Sequence, residues 1–185
     1  MSHASLKKRR EVSNSKSQII EFTIAFNRYK NKIFNYVLKM INDRMVVEDI
    51  VQNVFLKFFE NMDSIKNKNN ISYWLFVTAR NEIYGYYRSK KSKVDQFNVY
   101  DTDEVETKFP ENLEEIFELK EMKELIIKEL ENISAEQREP FIMKEFSGLS
   151  YKEIASIMNI DENTVKSRLY KTRQKLIERI SKMVK

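Results

Sequence analysis

Residues 148–175, GLSYKEIASIMNIDENTVKSRLYKTRQK, carry the pattern that decides the fold. The spacing predicts two helices joined by a tight turn, with the second helix cationic. Ser150 followed by Glu153 forms a capping box that opens the first helix. Ile154, Ala155 and Met158 make its apolar side, and Ala155 is small enough to admit a neighbouring helix. The turn is Met158-Asn159-Ile160, where Asn159 stands in for the glycine usual at positive φ. Asp161 is the expected N-cap of the second helix. At 100° per residue, Val165, Leu169, Thr172 and Leu176 share one face, which should be buried. Asn163, Lys166, Ser167, Tyr170, Lys171 and Gln174 share the opposite face. Cations, amides, a hydroxyl and an aromatic on one exposed face suit a DNA major groove. Antiparallel helix pairs whose charged faces meet only water are also common, so the motif alone leaves both readings open.

Upstream, helical spacing begins near Leu113 with Ile116, Phe117, Ile126 and Leu130. Ser134 and Gln137 predict a second capping box, Pro140 a kink, and Gly148 a C-terminal cap after Phe146. Downstream, Arg173, Lys175, Arg179, Lys182 and Lys185 suit a helix C-terminus through its dipole alone.

The front of the chain is helical too. Residues 1–16, around Lys7-Lys8-Arg9-Arg10, are expected to be a disordered basic tail in which the single histidine, His3, is inert. From Ser17 to Ile41, Ile19, Phe22, Phe26, Tyr29, Ile33, Tyr36 and Met40 recur at helical spacing. After Asn42-Asp43 a second helix buries Val47, Ile50, Val51, Val54 and Phe58. Its other face holds Asp49, Gln52, Asn53, Leu56, Phe59 and Glu60, which is either a second buried side or a protein-binding surface. A polar loop, Ile65-Lys66-Asn67-Lys68-Asn69-Asn70, leads to a helix from about Ser72 to Lys91 with Leu75, Ala79, Ile83 and Tyr86 inward. Tyr73, Phe76, Arg80, Asn81, Tyr84, Tyr87 and Arg88 are expected outside, a mixture that can stack on unpaired bases while holding phosphates. Residues 92–112 lack periodicity and carry Asp101, Asp103, Glu104 and Glu106, which reads as a flexible acidic linker.

Composition agrees with this. Only 2 Gly and 2 Pro occur in 185 residues, so turns are few and an all-α protein of two small helical domains is expected, residues 17–91 and 113–185. The net charge of +5 favours a polyanionic partner. The absence of cysteine removes disulfides and thiolate metal sites and agrees with a reducing, cytoplasmic setting. No nucleophile–base pair and no glycine-rich phosphate loop is visible, so neither an enzyme nor a resident cofactor or metal is expected.

Two segments in this order, VEDIVQNVFLKFFENMDSI with ISYWLFVTARNEIYGYYRSKK, then ISAEQREPFIMKEFSGLSYKEIASIMNIDENTVKSRLYKTRQKL, resemble the two conserved domains of extracytoplasmic-function (ECF) sigma factors of the sigma-70 family. The resemblance runs from about Phe22 to Ile180. It implies a promoter-recognition subunit of bacterial RNA polymerase that binds the core enzyme and opens the promoter. On that reading Asp49, Gln52, Asn53, Leu56 and Phe59 meet the clamp helices of the largest polymerase subunit. The loop Ile65, Lys66, Asn67, Lys68, Asn69 and Asn70, with Tyr73, Trp74, Arg80, Asn81, Tyr84 and Arg88, takes the −10 element and captures a flipped base. Asn163, Thr164, Lys166, Ser167, Arg168, Tyr170, Lys171 and Arg173 read the −35 element. An anti-sigma factor or other recruiting partner is a further partner the resemblance allows. Asn53 stands where the family often has an acid, and Phe59 where Trp is frequent. Two other readings are a regulator with an N-terminal receiver domain, which would need strands, and an adaptor bundle, which leaves the groove-reading face unexplained.

Overall fold

The structure, a computed structural model, describes residues 3–65, 67, 70–94 and 113–183. Among these residues all longer elements are helices: α1 (His3–Ile41), α2 (Arg44–Asn61), α3 (Ile71–Val94), α4 (Leu113–Glu131), α5 (Ala135–Glu145), α6 (Tyr151–Met158) and α7 (Glu162–Met183), with a 3-10 turn at Met62–Ser64. The expected break at Asn42-Asp43 has a plain cause. Asn42 takes a left-handed φ of 53°, and the Asp43 carboxylate accepts from the Val46 N–H, capping α2.

α1, α2 and α3 pack on one another. Ile33, Tyr36, Val37 and Met40 meet Val47, Ile50, Val54 and Phe58 and, from α3, Leu75, Ala79 and Ile83. Burying each such side chain is worth about 1.5–3 kcal/mol. Aromatic edges close the end of this unit, with Phe26 against Phe55 at 4.8 Å and Phe22 against Phe59 at 5.2 Å.

Three expectations need correcting here. Residues 1–16, expected to be disordered, belong to α1 from His3 onward. The stretch has no Gly or Pro to stop a helix, and its Lys, Arg, Glu and Ala favour one. Ile19, expected inward, is 53% exposed. Phe76, expected outward, is fully buried and tilts against Tyr36 at 5.5 Å, because α3 is covered from a second side.

In the rear half, α4, α5 and α6 pack around α7. Val165, Leu169, Thr172 and Leu176 are buried, the expected stripe, and Thr172 Oγ1 donates to Gln137 O at 2.9 Å. Ser134 precedes α5 without a side-chain capping bond, contrary to the expected capping box. Gln137 is engaged by Lys175 Nζ at 2.7 Å instead, so tertiary contact outcompetes the local cap. Pro140 lies inside α5 and is buried. Gly148 has a φ of 69°, and the turn it permits brings Leu149 N–H to Met143 O at 3.1 Å.

The two helical units also pack on each other, α1 on α5 and α3 on α6, and their buried residues form one continuous core. Arg138 Nη2 donates to Met40 O and to Tyr87 Oη, both at 2.9 Å. Lys39 Nζ lies 4.4 Å from the Phe146 ring centre. The acidic residues of the expected linker, Asp101 to Glu106, lie outside the described residues, and α3 extends to Val94, past the expected linker start.

Candidate nucleic-acid interface

The helix-turn-helix is built by three local devices. Ser150 Oγ accepts from Glu153 N–H at 3.2 Å, while Ser150 N–H donates to Glu153 Oε2 at 2.8 Å. The bond from the Ser150 N–H, and a second from its hydroxyl to Oε2 at 2.7 Å, hold the Glu153 carboxyl below its usual range. Asn159 ends α6 at φ 54° and ψ 49°, and Ile160 N–H returns to Ala155 O at 3.0 Å. Asp161 then accepts from Thr164 N–H at 2.8 Å and from the Thr164 hydroxyl at 2.6 Å. Those bonds lower the Asp161 carboxyl. Thr164 is therefore part of the cap, not of the free face.

On α7, Asn163, Lys166, Ser167, Tyr170 and Lys171 are exposed together, Tyr170 at 64%. Lys166 Nζ sits 5.9 Å from the Tyr151 ring centre. Two expected DNA-contacting cations have intramolecular partners. Arg168 bonds to Glu136 on α5, and Arg173 Nη2 lies 2.6 Å from Glu145 Oε1. Both pairs join α7 to α5 at the rim, while the buried stripe Val165, Leu169, Thr172 and Leu176 sets which face α7 presents.

The α3 region divides similarly. Tyr73, Asn81 and Arg88 are exposed. Trp74 is half-buried against Phe58 at 5.8 Å. In the loop, Ile65 packs on the core, Asn67 and Asn70 are exposed, and Asn70 N–H donates to Asn67 O at 2.9 Å. Lys66, Lys68 and Asn69 lie outside the described residues. Arg80 and Tyr84, expected to face nucleic acid, instead face Glu139 of α5. Arg80 Nε donates to Oε1 at 3.0 Å, Tyr84 Oη to Oε2 at 3.0 Å, and Tyr36 Oη to Oε1 at 2.7 Å. Glu139 is 0% exposed. Burial and the adjacent carboxylate push the Tyr84 hydroxyl up to about 12 and raise Tyr36 well above the ordinary tyrosine value. Glu139 was not among the expected functional residues. Its one signal is an acid set directly before the apolar run Pro140-Phe141-Ile142-Met143.

The outer face of α2 is a surface and not a second buried side. Asp49, Gln52 and Asn53 are exposed, with Leu56 at 53% and Phe59 at 37%. Met45, 80% exposed, lies one turn before Asp49 and extends the same stripe, since 45, 49, 52, 56 and 59 recur at alternating steps of four and three. That spacing was available in the sequence.

Comparison with known proteins matches these parts. The family profile for sigma-70 region 2 covers residues 25–93, and that for sigma-70 region 4 covers residues 123–176. The chain is 28% identical over 151 residues to the ECF RNA polymerase sigma factor SigM of Bacillus subtilis, covering 82% of this chain and 90% of that one. It is 26% identical over 173 residues to the ECF RNA polymerase sigma-E factor of Escherichia coli K12, covering 89% and 88%. The fold is similar to that of the sigma factor RpoE of Bartonella quintana, solved with the anti-sigma factor NepR, with TM-score 0.66 and 24% identity over 91% of this chain and 97% of that one. With both regions matched in the family's order, the chain belongs to the sigma-70 family, as a sigma factor of the ECF type that recognises promoters in transcription initiation.

Proposed function

We propose that this sigma factor divides its work among three surfaces. The exposed face of α7, Asn163, Lys166, Ser167, Tyr170 and Lys171, enters the major groove of the −35 element. Arg168 and Arg173 join that helix to α5 at the rim. Tyr73, Asn81 and Arg88, with the loop 65–70, hold an unpaired base of the −10 element, where amide edges and an aromatic face offset the cost of unstacking. The stripe Met45, Asp49, Gln52, Asn53, Leu56 and Phe59 docks on the clamp helices of the largest subunit of core RNA polymerase, with apolar anchors inside a polar rim.

The chain performs no catalysis on this reading. The polymerase supplies the metal and the bond-making chemistry, and the site of action is the cytoplasm, where that enzyme works. Residues 17–91 act as the −10 and polymerase-binding unit and residues 113–185 as the −35 unit, with an acidic tether between. An anti-sigma factor is a further partner, as one is for the RpoE neighbour.

The observation that carries this reading is the exposed polar and cationic face of α7, presented by a capped turn and a buried opposite stripe. The test is transcription in vitro with purified core polymerase on fragments of the host genome, with and without the chain. Initiation at discrete upstream sites only when the chain is present is expected. Unchanged initiation would sink the assignment.

A further inference from the structure

The strongest unassigned constellation is the carboxylate pocket between the two units. Glu139, fully buried, accepts from Tyr36 on α1 and from Arg80 and Tyr84 on α3. A guanidinium and two phenol donors converging on one anionic group also describe a site for a phosphate oxygen. Arg80 and Tyr84 share a helix with the exposed Tyr73, Asn81 and Arg88. Arg80 Cζ lies over the Tyr84 ring, 4.8 Å from its centre, so the cation and the phenol are held together on one side of α3.

We propose that Glu139 is an internal stand-in for a backbone phosphate of single-stranded DNA: it occupies the Tyr36–Arg80–Tyr84 anion site in the closed chain, and the strand takes that site when the two units separate. This rests on the −10 reading of α3 and deepens it.

Free energy permits such an exchange. Burial takes the Glu139 carboxylate and the Tyr36 hydroxyl out of water and Arg80 and Tyr84 partly so, and that desolvation cancels part of the attraction between them. Opening returns Glu139 to water while a phosphate replaces it beside Arg80, so charge pairing is kept on one side and hydration gained on the other. The other ties between the units are the apolar packing of α1 on α5 and of α3 on α6, the Lys39–Phe146 contact, the bonds of Arg138 to Met40 O and Tyr87, and that of Asn42 Nδ2 to Glu131 Oε1 at 2.6 Å; separating the units loses these, so the gain at Glu139 and the incoming strand must offset them. The closed state therefore acts as a brake. Its occupancy lowers apparent DNA affinity by the fraction of chains that are open.

The chain has no cysteine, so two engineered ones label it uniquely. Dyes at Met45→Cys and Met183→Cys, exposed positions on the two units, report their separation by energy transfer. Binding is read on the full chain, without polymerase, as the anisotropy of a labelled single-stranded DNA 12-mer of mixed sequence. Glu139→Gln keeps the shape but removes the negative charge opposite Arg80 and sets an amide N–H₂ where Tyr84 Oη had an acceptor. It should lower energy transfer and tighten DNA binding about tenfold, the magnitude expected when a largely closed population opens. Arg138→Ala should do the same in smaller measure with Glu139 intact, and excess 12-mer should lower energy transfer in the unsubstituted chain. Arg80→Gln in the Glu139→Gln background should abolish the gain. Circular dichroism confirms that each variant stays helical, and Arg138→Ala decides the matter if Glu139→Gln does not fold. The proposal is overturned if the opened chain binds the 12-mer no more tightly, or if the gain survives loss of Arg80. If the unsubstituted chain directs initiation from core polymerase while these shifts are absent, this proposal alone falls; if it directs none, the reading it rests on falls.

Discussion

At the scale of single residues, the fold depends on a few backbone conformations that most side chains resist. Asn159, at φ 54°, is tolerated in the left-handed region because its amide can satisfy local backbone groups. Asn159→Ala should cost about 1 kcal/mol, read as a lower midpoint in urea, whereas Asn159→Gly should be neutral or mildly stabilising. Gly148, at φ 69°, has open space around an added Cβ, so Gly148→Ala carries only the conformational cost, about 1 kcal/mol by the same measurement. Both positions were legible in the sequence, because each is a residue of left-handed tolerance at the end of an apolar period. Glu139 was not legible. Periodicity assigns a side chain to a face, but it does not name a partner 103 positions away. The same blindness hid the bonds of Arg80 and Tyr84 to Glu139 and placed Phe76 toward solvent.

At the scale of elements, capping and exposure give separable predictions. The Glu153 carboxyl is depressed chiefly by its hydrogen bond from the Ser150 N–H, so its folded value lies below its unfolded one. The stability it contributes is present at neutral pH and is lost as pH falls below the ordinary carboxylate range through the depressed value. Glu153→Gln should lower Tm at pH 7, and the gap from the unsubstituted chain should close as the solution is acidified below about pH 4.5. A gap constant in pH would remove the ionised capping box from the account. On α7, Lys171→Ala should weaken duplex promoter binding and reduce the salt slope by about one unit, because one phosphate contact fewer releases one counterion fewer. Salt titrations by anisotropy check this, and an unchanged slope excludes Lys171 from the phosphates. The helices themselves were readable because their apolar stripes repeat at 3.6 residues. Ser134 shows the limit of such signals: the pair Ser134 and Gln137 has the spacing of a cap, yet Lys175 claims the glutamine from another helix.

At the scale of the molecule, the outer stripe of α2 decides whether the chain joins its larger assembly. Asp49→Ala with Gln52→Ala should sharply reduce co-purification with core polymerase and leave circular dichroism and Tm unchanged, since both side chains are exposed. A loss of Tm comparable to a core substitution would show that the face is structural. The two-unit, all-helical architecture was legible from scarce turns and two blocks of helical period. How the units rest on each other was not, since helical period marks a face as buried without naming the helix that covers it, and the polar groups at the contact share no pattern along the chain. That contact also carries a timing consequence. Tyr84 precedes Glu139 by 55 positions. At roughly 5–20 residues per second, a ribosome completes Tyr84 about 3–11 seconds before it adds Glu139. The leading half is thus born with its arginine and tyrosines uncovered, and each newborn molecule passes through an interval of full receptivity before its own carboxylate arrives to close it.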